Sequence, residues 1–322
     1  MKKYYIALDI GGTKTSGAVF LQGGTIAEDY VYVTPSKTFD GEEAVYQNTK
    51  GVVDHLLRRF QIEISDVLGI GVGCPGPLDR KTGVILHAPM MRWRNFPLIK
   101  RLQEDFPVPI CLDNDGNLGA LAEQRCGEAK GEEAVFYMTV STGCGGGLVV
   151  DGTIYHGAKD GAMEIGHMCV ETEGRQCPCG AKGCFELYAS GTALNRRANS
   201  QIRQHEDSIL YRLAMEEERE ITGKDILEAA EKGDFFALEL YRKEGEYLGI
   251  GIGNILRLFD PSAVVLGGGV TKAKAFFHDA MVRTLKSRGF VNMKEDMIRY
   301  SRMNDRVVLY GAYYLIKEET LS

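Results

Sequence analysis

The chain has 322 residues, 44% hydrophobic and 25% charged, with a net charge of −6. Such a length favours two lobes over one core, and the acidic balance gives no electrostatic footprint for nucleic acid or a membrane surface. No run approaches the roughly 18–20 apolar residues of a membrane span, and the opening MKKYYIALDIGG is too short in apolar residues for a signal peptide, so a cytoplasmic chain with reduced thiols is expected.

In chain order, Tyr4–Asp9 is an apolar run that ends in an acid and meets Gly11-Gly12, and a second strand follows in TKTSGAVF. Residues 42–60 carry Val45, Val52, Val53, Leu56, Leu57 and Phe60 at helical spacing. Residues 67–76 read as a buried strand ending in a Gly/Pro loop, and 108–117 as a strand ending in polar residues. A helix over 117–127 stopped by Gly127 comes next. Residues 136–150 repeat the strand, glycine turn, strand pattern about 130 residues after its first occurrence, which points to an internal duplication with one copy per lobe. Residues 190–250 are helical in composition and include a helix over 224–233. A buried strand over 262–269 runs into three glycines, and 307–319 reads as a last helix. Strands alternating with helices make the fold class α/β.

The densest chemical signal is His167 followed by Cys177, Cys179 and Cys184. Three thiolates and an imidazole form the closed tetrahedral shell that structural Zn²⁺ prefers, and Pro178, Gly180 and Gly183 punctuate the turn that carries them. The other five cysteines, 74, 111, 126, 144 and 169, have no framework spacing.

Three glycine turns each follow an apolar strand. In the first, Asp9 is suited to hold Mg²⁺ through water. Gly11 and Gly12 free backbone N–H groups for an anion, and Thr13 and Lys14 add a hydroxyl and a charge. The second, Ser141 to Gly147, offers another phosphate cradle at Thr142 and Gly143. The third, Gly267-Gly268-Gly269, lets adenine and ribose lie on bare backbone. No GxxxxGK[ST] loop is present. Together the turns point to nucleotide binding. Asp113-Asn114-Asp115 closes a strand, where ligands bind in open α/β sheets. A carboxylate there can serve as a general base, or Asp115 or Asn117 does no more than cap the following helix. Glu164 and Glu186 bracket the metal pattern and either accept hydrogen bonds from a polyol or sit on a solvated surface. With one ring nitrogen on zinc, the other nitrogen of His167 is free to meet a ligand hydroxyl.

DIGGTK, GCPGPLD, NDGN, STGCGGG, EIGH with CPCGAKGCFE, and DPSAVVLGGG occur in the order expected of the ROK family of repressors, open reading frames and sugar kinases, and the chain resembles that family from residue 4 to about 315. The resemblance implies two RNase H-like lobes of the actin/hexokinase superfamily flanking a cleft, with a structural zinc loop. The N-terminal lobe is expected over 1–116 plus 305–322 and the C-terminal lobe over 117–304. It implies ATP and Mg²⁺ on the glycine turns, a hexose against Gly76, Asn114, Glu164, His167 and Glu186, and Asp115 as the base. The implied activity is ATP-dependent phosphorylation of a hexose, glucose to glucose 6-phosphate first, with N-acetylmannosamine, allose or fructose as other acceptors and a catalytically silent sugar sensor as another class. Family glucokinases place an Asn that touches the sugar shortly before a tryptophan. Here Met90 stands at that place before Trp93, and a thioether lacks the amide's donor and acceptor. The resemblance leaves polyphosphate open as an alternative donor and implies a homodimer or homotetramer. The chain starts eight residues before Asp9, so the DNA-binding domain of the family's repressors is expected to be absent.

Overall fold

The computed structural model describes residues 3–88, 91–290 and 293–321. The chain divides into two compact units. One comprises 1–131, 147–162 and 305–322, and the other 132–146 and 163–304.

The first unit is built on a five-stranded sheet. Its strands are β1 (Tyr4–Ile10), β2 (Lys14–Leu21), β3 (Ile26–Pro35), β4 (Val67–Cys74) and β8 (Ile110–Asn114), in the order β3-β2-β1-β4-β8. β1 pairs antiparallel with β2, and parallel with β4, which pairs parallel with β8. Side chains alternate across a strand, and β1 feeds two cores. Ile6, Leu8 and Ile10 meet Val52, Val53 and Leu56 of α1 (Glu42–Phe60) in one cluster. Tyr5 and Ala7 join Leu309, Ala312, Tyr313 and Ile316 of α9 (Val307–Leu321) in the other. Burial on both faces is why β1 reads as a continuous apolar run instead of an alternating one.

The glycines of β4 set how closely α9 lies on this sheet. A Cβ on Gly71 would stand 2.0 Å from the Ala312 carbonyl oxygen, so only glycine fits. A small sheet of β5 (Leu78–Asp79), β6 (Val84–Ala88) and β7 (Trp93–Phe96), and the helix α2 (Leu98–Asp105), complete the region before β8.

The helix α3 (Asp115–Cys126) follows β8 directly and belongs to the first unit, as do residues 147–162. The units therefore do not follow an expected break at 116/117. The physical reason is packing: a Cβ on Gly311 of α9 would lie 2.0 Å from the Leu118 carbonyl oxygen, so α3 is seated on the C-terminal helix. The Gly147–Val150 end of the strand after the second glycine turn is likewise drawn in at Gly147, where a Cβ would meet the Gly116 carbonyl oxygen at 2.3 Å.

In the second unit β12 (Ala263–Gly267) runs parallel to both β9 (Ala134–Val140) and β13 (Ile298–Tyr300). Its helices are α4 (Gly191–Gln201), α5 (Ile209–Glu216), α6 (Gly223–Glu231), α7 (Phe235–Phe259) and α8 (Lys274–Ser287). Caps mark where they start: Ser190 accepts from the Ala193 N–H, Thr222 and Asp225 form a capping box, and Asp234 accepts from the Ala237 N–H. The strand β10 (Cys144–Val150) repeats the glycine turn of β1–β2 after β9; from Gly147 on it belongs to the first unit, as does β11 (Thr153–Ile154), which pairs antiparallel with its end.

Candidate active site

In the first unit the chain places Asp9 near the end of β1 and Asp115 at the first turn of α3. Asn114 is the N-cap: its side chain accepts from the Gly116 N–H at 2.8 Å. That corrects the assignment of capping to Asp115 or Asn117. With the cap supplied by its neighbour, Asp115 accepts from the same N–H at 2.9 Å and forms no ion pair among the described residues. Burial raises its carboxyl above the ordinary range, against the pull of the Gly116 N–H. Burial and the negative charge of Asp115 together push Asp9 up to about 7, and Lys14 only partly offsets them. Two desolvated, mutually repelling carboxylates are a donor set that a divalent cation relieves, so the residues fit Mg²⁺.

Lys14 is engaged with Asp305 at 2.5 Å, an exposed pair. The turn that holds Gly11 and Gly12 is closed by the Gly11 N–H to the Lys14 carbonyl at 2.9 Å. Ser36 fastens it from the end of β3, donating its hydroxyl to the Gly11 carbonyl at 2.6 Å, and the Ser36 N–H donates to the Thr13 carbonyl at 3.0 Å. Thr13 itself is exposed. Gly76 lies in the loop after β4 and precedes Pro77.

In the second unit the turn after β9 is closed by the Ser141 N–H to the Gly143 carbonyl, 2.9 Å. Gly191 and Thr192 at the start of α4 donate to the carbonyls of Ser141 and Thr142, at 2.7 and 3.3 Å, which anchors the loop and leaves Thr142 exposed. A Cβ on Gly143 would stand 3.1 Å from Glu186 Oε2, so the second glycine turn and Glu186 adjoin. Gly267 ends β12 and Gly268 follows it. Gly268 has φ +88° and would press a Cβ to 2.4 Å from the Val140 carbonyl oxygen, which excludes any other residue.

The metal pattern closes in space. The ligand atoms of His167, Cys177, Cys179 and Cys184 all lie within 4.8 Å of one another. Cys179 Sγ is 3.6 Å from Cys184 Sγ, and Cys177 Sγ is 3.8 Å from His167 Nδ1. Tetrahedral Zn–S bonds of about 2.3 Å put neighbouring sulfurs about 3.8 Å apart, so the four residues fit zinc. Without a cation, burial raises the thiols of Cys177 and Cys184, while the Ala181 N–H and the other thiols lower Cys179. The nitrogen facing the sulfurs is Nδ1, which leaves Nε2 of the half-exposed imidazole free. Glu186 Oε1 stands 3.6 Å from the same Nδ1. Glu164 is exposed at the start of the turn that carries His167. Gly166 lets that turn sit on β10, where a Cβ would meet the Cys144 carbonyl oxygen at 2.2 Å.

The structure thus gathers Asp9, Asp115 and Lys14 in one unit, and Gly143, His167, Glu186 and the cysteines in the other. Sequence reading placed Asp113 in the strand-closing run but missed its buried pairing: it accepts from Asn117 Nδ2 at 2.9 Å and pairs with His156 Nε2 at 2.7 Å. A lone acid and a lone histidine 43 residues apart carry no spacing signal. Met90 lies outside the described residues. No described helix is long and apolar enough to cross a membrane.

Comparison with known proteins bears on this arrangement. The ROK family model matches residues 5–319. A glucokinase of Halalkalibacterium halodurans is 37% identical over 272 residues, covering 84% of this chain and 82% of that protein. A xylose repressor of Caldicellulosiruptor bescii is 29% identical and covers 93% of this chain and 74% of its own length. Among solved structures, a ROK family glucokinase from Streptomyces griseus in complex with glucose and AMPPNP superposes with a TM-score of 0.83 at 29% identity, covering 98% of this chain and 99% of that one. The fold is that of the actin/hexokinase-like ROK kinases.

Proposed function

Because the chain belongs to the ROK family, we propose that it is a sugar kinase that transfers the terminal phosphoryl group of ATP to a hexose, with the 6-hydroxyl of glucose as the first acceptor to test. The observation that carries this reading is Asp115: a desolvated carboxylate at a strand end, held by the Asn114 cap and without an ion-pair partner among the described residues. A carboxylate so placed is suited to take the proton of an attacking hydroxyl. Likeness to named glucokinases supports the acceptor class.

Each residue then has a task. Asp115 accepts the hydroxyl proton. Asn114, Glu164, His167, Glu186 and the backbone at Gly76 hold sugar hydroxyls. His167, Cys177, Cys179 and Cys184 would hold zinc, which would fix the direction of the imidazole and leave Nε2 to donate or accept. Gly11, Gly12, Thr13, Lys14, Thr142, Gly143, Gly267 and Gly268 present backbone N–H groups, hydroxyls and one cation to the nucleotide. Asp9 would hold Mg²⁺, which would supply charge neutralisation of the phosphates; phosphoryl transfer needs mainly positioning and such neutralisation. The working assembly is a homodimer or homotetramer.

The likeness to a xylose repressor over 93% of the chain favours one competing reading, a sugar-binding sensor without turnover. Release of ADP from ATP with a panel of glucose, N-acetylmannosamine, allose and fructose separates the two. Turnover with at least one sugar is expected. Measurable sugar binding with no ADP release from any sugar, and with no sugar phosphate formed when polyphosphate replaces ATP, establishes the sensor.

A further inference from the structure

The second unit holds a cavity of about 420 Å³, the size of a small-molecule site. Its wall carries Arg175, Arg196, Arg197, Arg242 and Lys243, with Glu239 as its only carboxylate among the lining residues. None of these residues belongs to the proposed catalytic or metal groups.

The positive charge is not internally balanced. Arg242 pairs with Glu239 and Glu246, Lys243 shares Glu246, and Arg197 is spent on Glu244 and the Tyr188 carbonyl. That sets three carboxylates against five cations. The surplus lies on Arg175 and Arg196. Arg175 is exposed, and its side chain has no partner among the described residues. Arg196 donates to the Leu187 carbonyl, but its Nε is buried and has no hydrogen-bond partner. Burial, then the positive charges of Arg175 and Arg197, hold the Arg196 guanidinium below its usual range. Unpaired buried donors in a field of like charge are costly unless an anion meets them.

Beside the arginines stand Tyr188 and Tyr247, with ring centroids 4.9 Å apart, and Lys243 Nζ lies 5.1 Å from the Tyr247 ring. This gives the cavity an apolar wall next to its charged end. Several guanidinium forks and an ammonium suit a tetrahedral dianion, whereas a carboxylate is satisfied by one fork.

We propose that this cavity binds a phosphoryl dianion between Arg175 and Arg196, as a regulatory site separate from the catalytic residues. Two sources share that chemistry, a small phosphate ester whose carbon skeleton lies on the Tyr188–Tyr247 wall and free phosphate.

The test is calorimetric titration of the zinc-loaded full chain with glucose 6-phosphate, with inorganic phosphate and with glucose as the uncharged control. Titrations are run with and without saturating hexose and a non-hydrolysable ATP analogue, so that binding at the catalytic residues is read separately. The readout does not depend on turnover. A phosphorylated probe should bind once per chain in the presence of the analogue, and weaken with salt. Tighter binding of glucose 6-phosphate supports the proposal and names an ester; equal binding of inorganic phosphate supports it and names free phosphate. Arg175→Gln and Arg196→Lys should each lower that affinity by about tenfold or more, the Arg175 variant with melting temperature and zinc content unchanged. Absence of binding by both phosphorylated probes at millimolar concentration, or unchanged affinity in both variants, overturns the proposal.

Discussion

Asp9 and Asp115 illustrate how a site stores instability for use. Burial and the neighbouring Asp115 charge raise Asp9 to about 7, against 3.8 for the free side chain. The stabilisation of protonated Asp9 is fully present below the unfolded value and is lost as pH rises toward 7. Metal-free protein should therefore lose stability between about pH 4 and pH 7 through this group. Asp9→Asn removes the loss: by thermal melting the variant should match the parent near pH 4 and exceed it at about pH 8. The gain is on the order of 2 kcal/mol, less than the full shift because Asp9 is only half-buried by its surface exposure. Equal melting curves at the higher pH would show that the repulsion is absent. At the same scale, the role of Asp115 was legible only as a choice between base and cap. Asn114, whose side chain already fills the capping position, removes the cap reading and leaves the base as the role proposed for Asp115. Asp113 and His156 stayed hidden because their contact depends on tertiary packing, which no local pattern records.

At the scale of elements, the His167–Cys184 cluster was the most legible part of the chain, since close spacing of cysteines around glycine turns already points to a set of ligands that gathers in space. Cys179→Ser should lose the metal, read as zinc per chain by elemental analysis. It should also weaken sugar binding by about tenfold or more, because His167 then loses its orientation. Retention of full affinity in the zinc-free variant would place the sugar elsewhere. The glycines of β4 were legible as a strand but not as an interface. Their purpose appears only with α9, far later in the chain, whose Ala312 carbonyl oxygen lies 2.0 Å from where a Cβ on Gly71 would stand. Gly71→Ala should destabilise the fold by roughly 1–3 kcal/mol in chemical denaturation, through overpacking against backbone that cannot yield. An unchanged midpoint would mean that the helix shifts at no cost. The placement of α3 with α9 was illegible for the same reason, and it is why the expected boundary at 116/117 does not describe the compact units.

For the molecule as a whole, the order of strands, glycine turns and helices was enough to identify the α/β class and the family, because six separated motifs fall in one sequence order. Acceptor identity is a different matter. It depends on a few hydroxyl contacts, and glucokinases and xylose repressors are both similar to this chain over most of its length. What distinguishes an enzyme from a sensor is a working base. The most direct measurement is therefore ATP-dependent ADP release by the parent chain and by Asp115→Asn with the best acceptor, alongside sugar affinity measured by calorimetry. The expected result is a fall in turnover of at least about a hundredfold with sugar affinity held within several-fold. Unchanged turnover in Asp115→Asn would contradict the assignment of the base and with it the proposed mechanism.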